Sequence, residues 1–336
     1  MDDLTKRPQA PALPDFAPQG AVYDGLMRSL EEGTFVHAYL ISGPEGVGKR
    51  TLAGLMAQYL LCTGEDKPCG RCPGCLQTAE GSHPDMTILR PDKSIQVDAV
   101  REVIRLSGEH TYEGGRRVIR IEQAEKMTPG AQNCLLKTLE EPVAGTVFLL
   151  TTDAPSQLLP TIVSRCRGLK LHPWPDSVVL SVLAEHGVDE RRRREAADVS
   201  GGSIGMALRV AADESYWQRR GEVLRDFFGL SGRSDVMRVS GIWKDRKDQA
   251  GELLGDVEDM IRSLMLVSLG LRDARALDAY PESWKRVARS NDPAAFARLL
   301  DAVAEARRLQ LSQVTWQAVV ERLLLSLMEE NHRWST

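Results

Sequence analysis

The stretch GPEGVGKRT, residues 43–51, decides the fold of this chain. It follows an apolar run at 38–42 and precedes a helical pattern, which is the strand–turn–helix setting of a phosphate-binding loop. Glycines in such a loop let backbone N–H groups face a phosphate, and a lysine adds positive charge. A glycine-rich turn with a chance lysine is the alternative. The residues assigned to the ligand are Gly43, Gly46, Gly48, Lys49, Arg50 and Thr51, together with Glu122 from a later strand end.

One position of the loop departs from what magnesium binding needs. The residue after the lysine normally offers a hydroxyl to the metal, and here it is Arg50. Thr51 follows one residue later and points roughly 100° away around the helix. The sequence of the loop therefore does not by itself predict magnesium binding.

The acidic residues that hydrolysis requires are also altered. Hydrolysing loop ATPases place an aspartate for the metal and a glutamate for water after a central strand. Here the strand at 118–121 ends in Glu122 and Gln123. Glu122 can reach a metal, whereas a neutral glutamine cannot act as a general base. An alternative alignment gives the acid role to Glu125. The sequence predicts a nucleotide-shaped pocket with little or no hydrolysis.

Length and composition set broad limits. With 336 residues the chain is long enough for about two or three domains. Its net charge of −4 and 42% hydrophobic content indicate neither a nucleic-acid nor a membrane-surface partner by themselves. No apolar run reaches the roughly 18 residues of a spanning helix, and the first residues show no secretion signal. We expect a cytoplasmic protein with no membrane partner.

Alternation of short apolar runs with helical patterns in the first half predicts an α/β fold with a parallel sheet. We predict strands at 38–42, 86–89, 118–121, 146–151 and 169–171, and helices at 50–61, 98–110, 129–139, 252–269, 293–311 and 314–328. The predicted divisions are a flexible proline-rich leader at 1–20, an α/β domain at 21–172, a helical lid at 173–212 and an all-helical domain at 213–336.

Four cysteines stand close together in the pattern C-x6-C-x2-C-x2-C, at Cys62, Cys69, Cys72 and Cys75. Four thiolates within one short loop match a tetrahedral structural zinc site with no open position for catalysis. Disulfide or redox chemistry is the alternative, which a reducing cytosol disfavours. The spacing predicts a zinc module at 62–75.

A Ser-Arg-Cys sequence at 164–166 precedes the last predicted strand. Arg165 is either a local ion-pair partner or an arginine finger offered to the phosphates of a neighbouring subunit. Guanidinium geometry suits a transferring phosphoryl group. Position in the sequence does not separate these two roles.

Together these motifs resemble those of the AAA+ subunits of bacterial sliding-clamp loaders. The specific features are the cysteine module after the phosphate loop, LLKTLEEP at 135–142, and SRC at 164–166. The resemblance covers residues 36–171 well and the helical remainder by pattern only. It implies an AAA+ phosphate-loop domain with a zinc module, a small helical lid and an all-helical collar that oligomerises.

Within that family, the ATP-hydrolysing gamma/tau type keeps Asp-Glu after its strand and an arginine in the lid helix. This chain has Glu122 and Gln123 at the strand end, and Gly205 where the lid arginine would stand. Both losses point to the subunit type that does not hydrolyse ATP. The resemblance implies that such a subunit lends Arg165 to the ATP held by its neighbour.

The resemblance also implies partners. We expect a hetero-pentamer with gamma/tau and delta subunits, acting on the sliding clamp and primer-template DNA within the DNA polymerase III holoenzyme. A structural zinc ion is expected, and ATP or ADP is compatible with the loop. The chain itself is expected to be neither the polymerase nor a catalytic ATPase.

Two other functions remain open from the sequence. In the first, Thr51 and Glu122 restore the metal site and the chain is an active clamp-loader ATPase. In the second, the loop is vestigial and the chain is a zinc-stabilised nucleic-acid-binding protein whose basic run, Arg191–Arg194, contacts the phosphate backbone. ATP turnover by the isolated chain would favour the first, and steeply salt-dependent DNA binding would favour the second.

Overall fold

The computed structural model describes residues 11–112, 115–271, 274–289 and 293–333. These residues form two compact units. The first extends to Val188 and includes Ser200–Leu208, and the second comprises Asp189–Val199 and the residues from Arg209 onward. The domain limits at 172 and 212 stay predictions. No helix in the described part of the chain is long and apolar enough to span a membrane.

A five-stranded parallel sheet forms the centre of the first unit. Its strands are β1 (Ala38–Ser42), β2 (Met86–Leu89), β3 (Arg117–Ile121), β4 (Thr146–Thr152) and β5 (Arg167–Lys170). They lie in the order β2-β3-β4-β1-β5. The prediction of a parallel sheet is confirmed, and the predicted strand limits differ from the observed ones by at most two residues.

Helices cover this sheet because its central strands β1 and β4 are buried on both faces. The helices of the first unit are α1 (Ala21–Glu31), α2 (Lys49–Leu61), α3 (Pro73–Glu80), α4 (Val97–Ser107), α5 (Pro129–Glu140), α6 (Pro160–Arg165) and α7 (Asp176–Glu185). The start of α5 is set as its sequence predicts: the Thr128 hydroxyl oxygen accepts a hydrogen bond from the Ala131 N–H at 3.3 Å.

The predicted leader is ordered differently from the expectation. Its first ten residues lie outside the described residues, but Leu13–Gln19 forms a 3-10 helix in which Leu13 and Phe16 are buried. Phe16 packs edge-on against Trp174, with ring centroids 5.4 Å apart. This part of the predicted flexible leader is therefore a short helix with buried side chains. The high proline content of this segment suggested a flexible chain, although the apolar side chains of Leu13 and Phe16 are stabilised by burial.

Two further helices follow along the chain, α8 (Glu190–Ser200) and α9 (Ile204–Ala212). The second unit continues with α10 (Glu214–Phe227), α11 (Arg233–Trp243), α12 (Ala250–Ser268), α13 (Glu282–Arg289), α14 (Pro293–Gln310) and α15 (Trp316–Arg333). Its core is built around the fully buried side chains of Trp243, Trp284 and Phe296. The all-helical character predicted for this region is confirmed within the described residues.

Candidate functional site

The phosphate loop lies between the end of β1 and the start of α2, as the sequence predicts. Lys49 is buried, and its Nζ donates hydrogen bonds to the carbonyl oxygens of Gly43 at 2.8 Å and Pro44 at 2.6 Å. It also forms an ion pair with Asp153, which follows β4. Because β4 is the neighbour of β1 in the sheet, the carboxylate reaches the loop. The lysine is thus held at the mouth of the loop.

Glu122 occupies the end of β3, where its carboxylate is surrounded by three guanidinium groups. Its Oε2 lies 3.1 Å from Nε of Arg50 and 3.1 Å from Nε of Arg90. Its Oε1 accepts a hydrogen bond from a terminal nitrogen of Arg120 at 3.0 Å. The Glu122 side chain is only 1% exposed. Both carboxylate oxygens are therefore already engaged by protein cations. We call this group of one glutamate and three arginines the Glu122 cluster.

The sheet explains how the Glu122 cluster forms. Arg120 and Glu122 are two residues apart along the chain, so their side chains leave the same face of the strand. Leu89 of β2 pairs with Ile121 of β3, which brings the following residue, Arg90, beside Glu122. Burial lowers the pKa of Arg120; Glu122 opposes this shift, whereas Arg90 and Arg50 add to it. One carboxylate is shared among three cations.

Gln123 lies directly after Glu122 and adopts a left-handed backbone conformation, with φ 53° and ψ 56°. This conformation costs a non-glycine residue about 1 kcal/mol. The Gln123 N–H donates to the Thr151 hydroxyl at 3.3 Å, which stabilises the turn. Glu125 lies beyond, in the short 3-10 turn Ala124–Lys126, so the alternative alignment is not supported. Gln123, the residue next to Glu122, therefore provides no general base.

The segment that was predicted to have lost the lid arginine packs directly on the phosphate loop. The Gly205 N–H donates to the Gly46 carbonyl at 2.9 Å, and the Ser203 hydroxyl donates to the Glu45 carbonyl at 2.8 Å. A Cβ atom at Gly205 would stand 3.0 Å from Cα of Gly46. Glycine is required here by the close approach of two backbones, and an arginine at this position would collide with the loop.

Gly205→Arg is accordingly expected to lower the free energy of unfolding by about 2 kcal/mol through overpacking, and to create no ATP turnover. Denaturant unfolding and an ATPase assay of the purified variant would test this. Gly221→Arg is the matched control, because a Cβ there meets nothing within 4 Å. Wild-type stability of the Gly205→Arg protein would show that the contact between the two backbones is loose.

The four cysteines of the predicted zinc module come together in one cluster. Their sulfur atoms all lie within 4.8 Å of one another. Cys62 and Cys72 have their sulfurs 3.8 Å apart, and Cys69 and Cys75 have theirs 4.0 Å apart. Four sulfurs at 2.3 Å from one tetrahedral ion would be about 3.8 Å apart. The donors fit a structural zinc ion, and these distances exceed the roughly 2.05 Å of a disulfide.

Backbone groups around this cluster stabilise negatively charged sulfur. The Cys75 N–H donates to the Cys72 sulfur at 3.3 Å, and the Cys72 N–H donates to the Cys69 sulfur at 3.4 Å. Burial opposes the ionisation of Cys72, but this N–H of Cys75 and hydrogen bonds from Thr63 lower the pKa of Cys72 to about 5. Burial raises the pKa of Cys75 to about 12. A cation among the four sulfurs would relieve that cost.

Arg165 is the last residue of α6, and its side chain is 32% exposed. Its guanidinium forms an ion pair with Glu140, at the end of α5, and donates to the Thr161 carbonyl at 3.0 Å. The structure thus gives Arg165 a local partner, one of the two roles considered from the sequence. A part-exposed pair of this kind stabilises the fold by at most about 1 kcal/mol.

The basic run at 191–194 lies on helix α8, where acidic residues accompany it. Arg191 pairs with Glu195, Arg194 pairs with Glu190, and Arg192 pairs with Glu214 at 2.7 Å. Such pairs are typical of a solvated helix face. No observation here favours contact with nucleic acid.

Sequence reasoning missed Arg90 and Arg120 as members of the site, and also Asp153 and the Glu140 partner of Arg165. Of these four residues, Arg120 could have been identified from the sequence. Arg120 interrupts the apolar strand RVIRI, and a charge inside a buried strand needs a partner of opposite sign on the same face. Glu122, two residues on, is that partner. The other three depend on contacts between elements far apart in sequence.

Comparisons with known proteins give one consistent relationship. The family model described as "DNA polymerase III, delta subunit" matches residues 18–175. The DNA polymerase III subunit delta' of Bacillus subtilis is 29% identical over 314 residues, which cover 90% of this chain and 94% of that protein. The Haemophilus influenzae delta' subunit is 34% identical over 222 residues, 65% of this chain and 68% of its own length. The tau subunit of Salmonella typhimurium is 37% identical over 162 residues, 48% of this chain and 25% of that protein.

Proposed function

This chain belongs to the delta prime subunits of bacterial DNA polymerase III, and we propose that it serves in the clamp loader without hydrolysing ATP itself. In this role it donates Arg165 to the ATP site of a neighbouring subunit. The chain then contributes to loading the sliding clamp on DNA for replication. Its own phosphate loop binds an anion but does not hydrolyse ATP.

The Glu122 cluster is the observation that carries the non-hydrolysing role. Hydrolysis needs a carboxylate that holds magnesium and a second group that orients water. Here the first carboxylate is bound by three arginines, among them Arg50 at 3.1 Å, and the second position is the neutral Gln123. Arg50, not Thr51, reaches the acid, which argues against the alternative of an active ATPase.

The finger role of Arg165 is supported by its place at the end of a short helix and by its partial exposure. An arginine offered to another subunit must be reachable, and its guanidinium must be able to leave its local partner. The pair with Glu140 satisfies both requirements because it is itself part-exposed. The similarity of this chain to a tau subunit makes gamma/tau the proposed neighbour, with delta as a further partner.

A structural zinc ion held by Cys62, Cys69, Cys72 and Cys75 completes the proposal. The ion would supply charge neutralisation and a cross-link between the end of α2 and the start of α3. The sulfur cluster offers no open ligand position, so its role is in folding. The cytoplasmic location stays a prediction from the sequence.

Assaying ATP turnover of the isolated chain and of the assembled loader tests the non-hydrolysing role. We expect no turnover above background from the chain alone and clear turnover from its assembly with gamma/tau and delta. Lys49→Ala in this chain is expected to leave the turnover of the assembly unchanged. Turnover by the isolated chain that Lys49→Ala abolishes would overturn the proposal and establish an ATPase.

A further inference from the structure

Arg50 and Glu122 stand at the two positions from which loop ATPases hold magnesium, and here they contact each other directly. The Nε atom of Arg50 lies 3.1 Å from the Glu122 carboxylate. We propose that the phosphate loop binds a diphosphate group without any divalent cation, with the Arg50 guanidinium in the place of the metal. This inference rests on the part of the proposed function that keeps the loop as an anion site.

Magnesium is disfavoured at this position by coordination and by charge. Magnesium prefers nearly ideal octahedral oxygen coordination at about 2.0 Å, and the protein's share of it comes from carboxylates. Oε2 of Glu122 already accepts a hydrogen bond from Arg90 and Oε1 accepts one from Arg120, and Arg50 forms an ion pair with Oε2. Three guanidinium groups around one carboxylate leave two positive charges in excess. A divalent cation would have to displace an arginine and join a site that is already positive.

The same excess charge favours a phosphate anion. The loop offers backbone N–H groups at the N-terminus of α2, which is a favourable position for negative charge. The Arg50 side chain is 59% exposed, and Glu122 is its only ion-pair partner within the described residues, so its terminal nitrogens remain available. A guanidinium offers two parallel N–H donors to phosphate oxygens. Lys49, held by the Gly43 and Pro44 carbonyls and paired with Asp153, is a second cation of the same loop.

Isothermal titration calorimetry of the full chain with ADP and with inorganic pyrophosphate would test the inference. Each titration is run once in magnesium-free buffer, with no chelator so that the cysteine site keeps its zinc, and once with magnesium. We expect both ligands to bind in the magnesium-free buffer and magnesium to bring no gain in affinity. Tighter binding of ADP would identify a nucleotide as the source of the diphosphate, and tighter binding of pyrophosphate an inorganic one. Binding of neither ligand, or binding only with magnesium, would overturn the inference.

Arg50→Thr tests the role assigned to the guanidinium. It restores the hydroxyl that usually follows the lysine and leaves Glu122 paired with Arg90 and Arg120, so the fold should persist. We expect the affinity for ADP in magnesium-free buffer to fall by roughly tenfold, the loss of one charge-assisted contact. Arg101→Thr is the matched control, because Arg101 is also a helical arginine, 67% exposed, with one ion-pair partner. Unchanged affinity of Arg50→Thr would refute the assignment.

The outcome is separable from that of the proposed function. Turnover by the isolated chain would overturn the non-hydrolysing role whatever the metal dependence of binding. A silent chain that binds diphosphate only with magnesium would leave that role standing and remove this inference alone.

Discussion

Replacing Arg165 by alanine is expected to lower ATP turnover at the neighbouring subunit's site by about 10³-fold while the loader still assembles. The guanidinium stabilises charge that develops on the transferring phosphoryl group, and alanine leaves that charge without a donor. Within this chain the arginine contributes little to stability, since its pair with Glu140 is part-exposed. Arg165→Ala is therefore expected to lower ATP turnover strongly and the stability of this chain only slightly.

Turnover of the reconstituted loader, measured with wild-type and Arg165→Ala chain under single-turnover conditions, resolves the affected site from the others. Two further variants refine the result. Arg165→Lys keeps the charge but loses the planar fork, so most of the loss should remain. Glu140→Gln removes the local ion pair and keeps the arginine, so turnover should persist. Equal losses in Arg165→Ala and Glu140→Gln would mean that the ion pair, and not the finger, is what matters.

Removal of zinc is the second change with a large expected effect. We expect the purified, reduced chain to contain one zinc ion, and its chelation to lower the free energy of unfolding on the order of 5 kcal/mol. Metal-binding energy is folding energy where the site forms only in the native state. The loss should be smaller than for an isolated zinc finger, because α3 also packs against α2.

Metal analysis together with thermal unfolding would measure this effect. Cys72→Ser should reduce the zinc content and the stability together, since Cys72 supplies one sulfur and caps α3. Cys134→Ser is the control, because that cysteine lies on α5 outside the cluster and its loss should leave the zinc content unchanged. Reduced wild-type protein without stoichiometric zinc would contradict the zinc assignment. It would favour the alternative that the four thiols take part in disulfide or redox chemistry.

Much of the sheet could be predicted from the sequence because buried parallel strands are continuous apolar runs with clear ends. β1 and β2 were placed without error, and β5 was shifted by two residues, since Arg167 and Gly168 have no apolar pattern. The helix at Leu13–Gln19 was not predicted, because the prolines of this segment indicated a flexible chain and only Leu13 and Phe16 indicated burial. A few buried side chains can fix a segment whose composition indicates disorder.

The site was predictable only in part. Glu122 and the phosphate loop follow from motif and strand end, which are local signals. Arg90 and Arg50 join Glu122 from different elements, and only the pairing of β2 with β3 and the course of α2 bring them there. The absence of a lid arginine at Gly205 stays a prediction from the sequence, whereas the close backbone contact of Gly205 with Gly46 required the structure.

The Glu122 cluster also bears on how this chain could evolve. A single reversion of Arg50 to a hydroxyl residue would leave the glutamate bound by Arg90 and Arg120, with no gain in metal binding. Replacing either of those two alone would still leave Arg50 in the metal's place. Because the members share one carboxylate, their effects are not additive. If the chain does not hydrolyse ATP, as proposed, a gain of hydrolysis would require several substitutions together, at the Glu122 cluster and at Gln123.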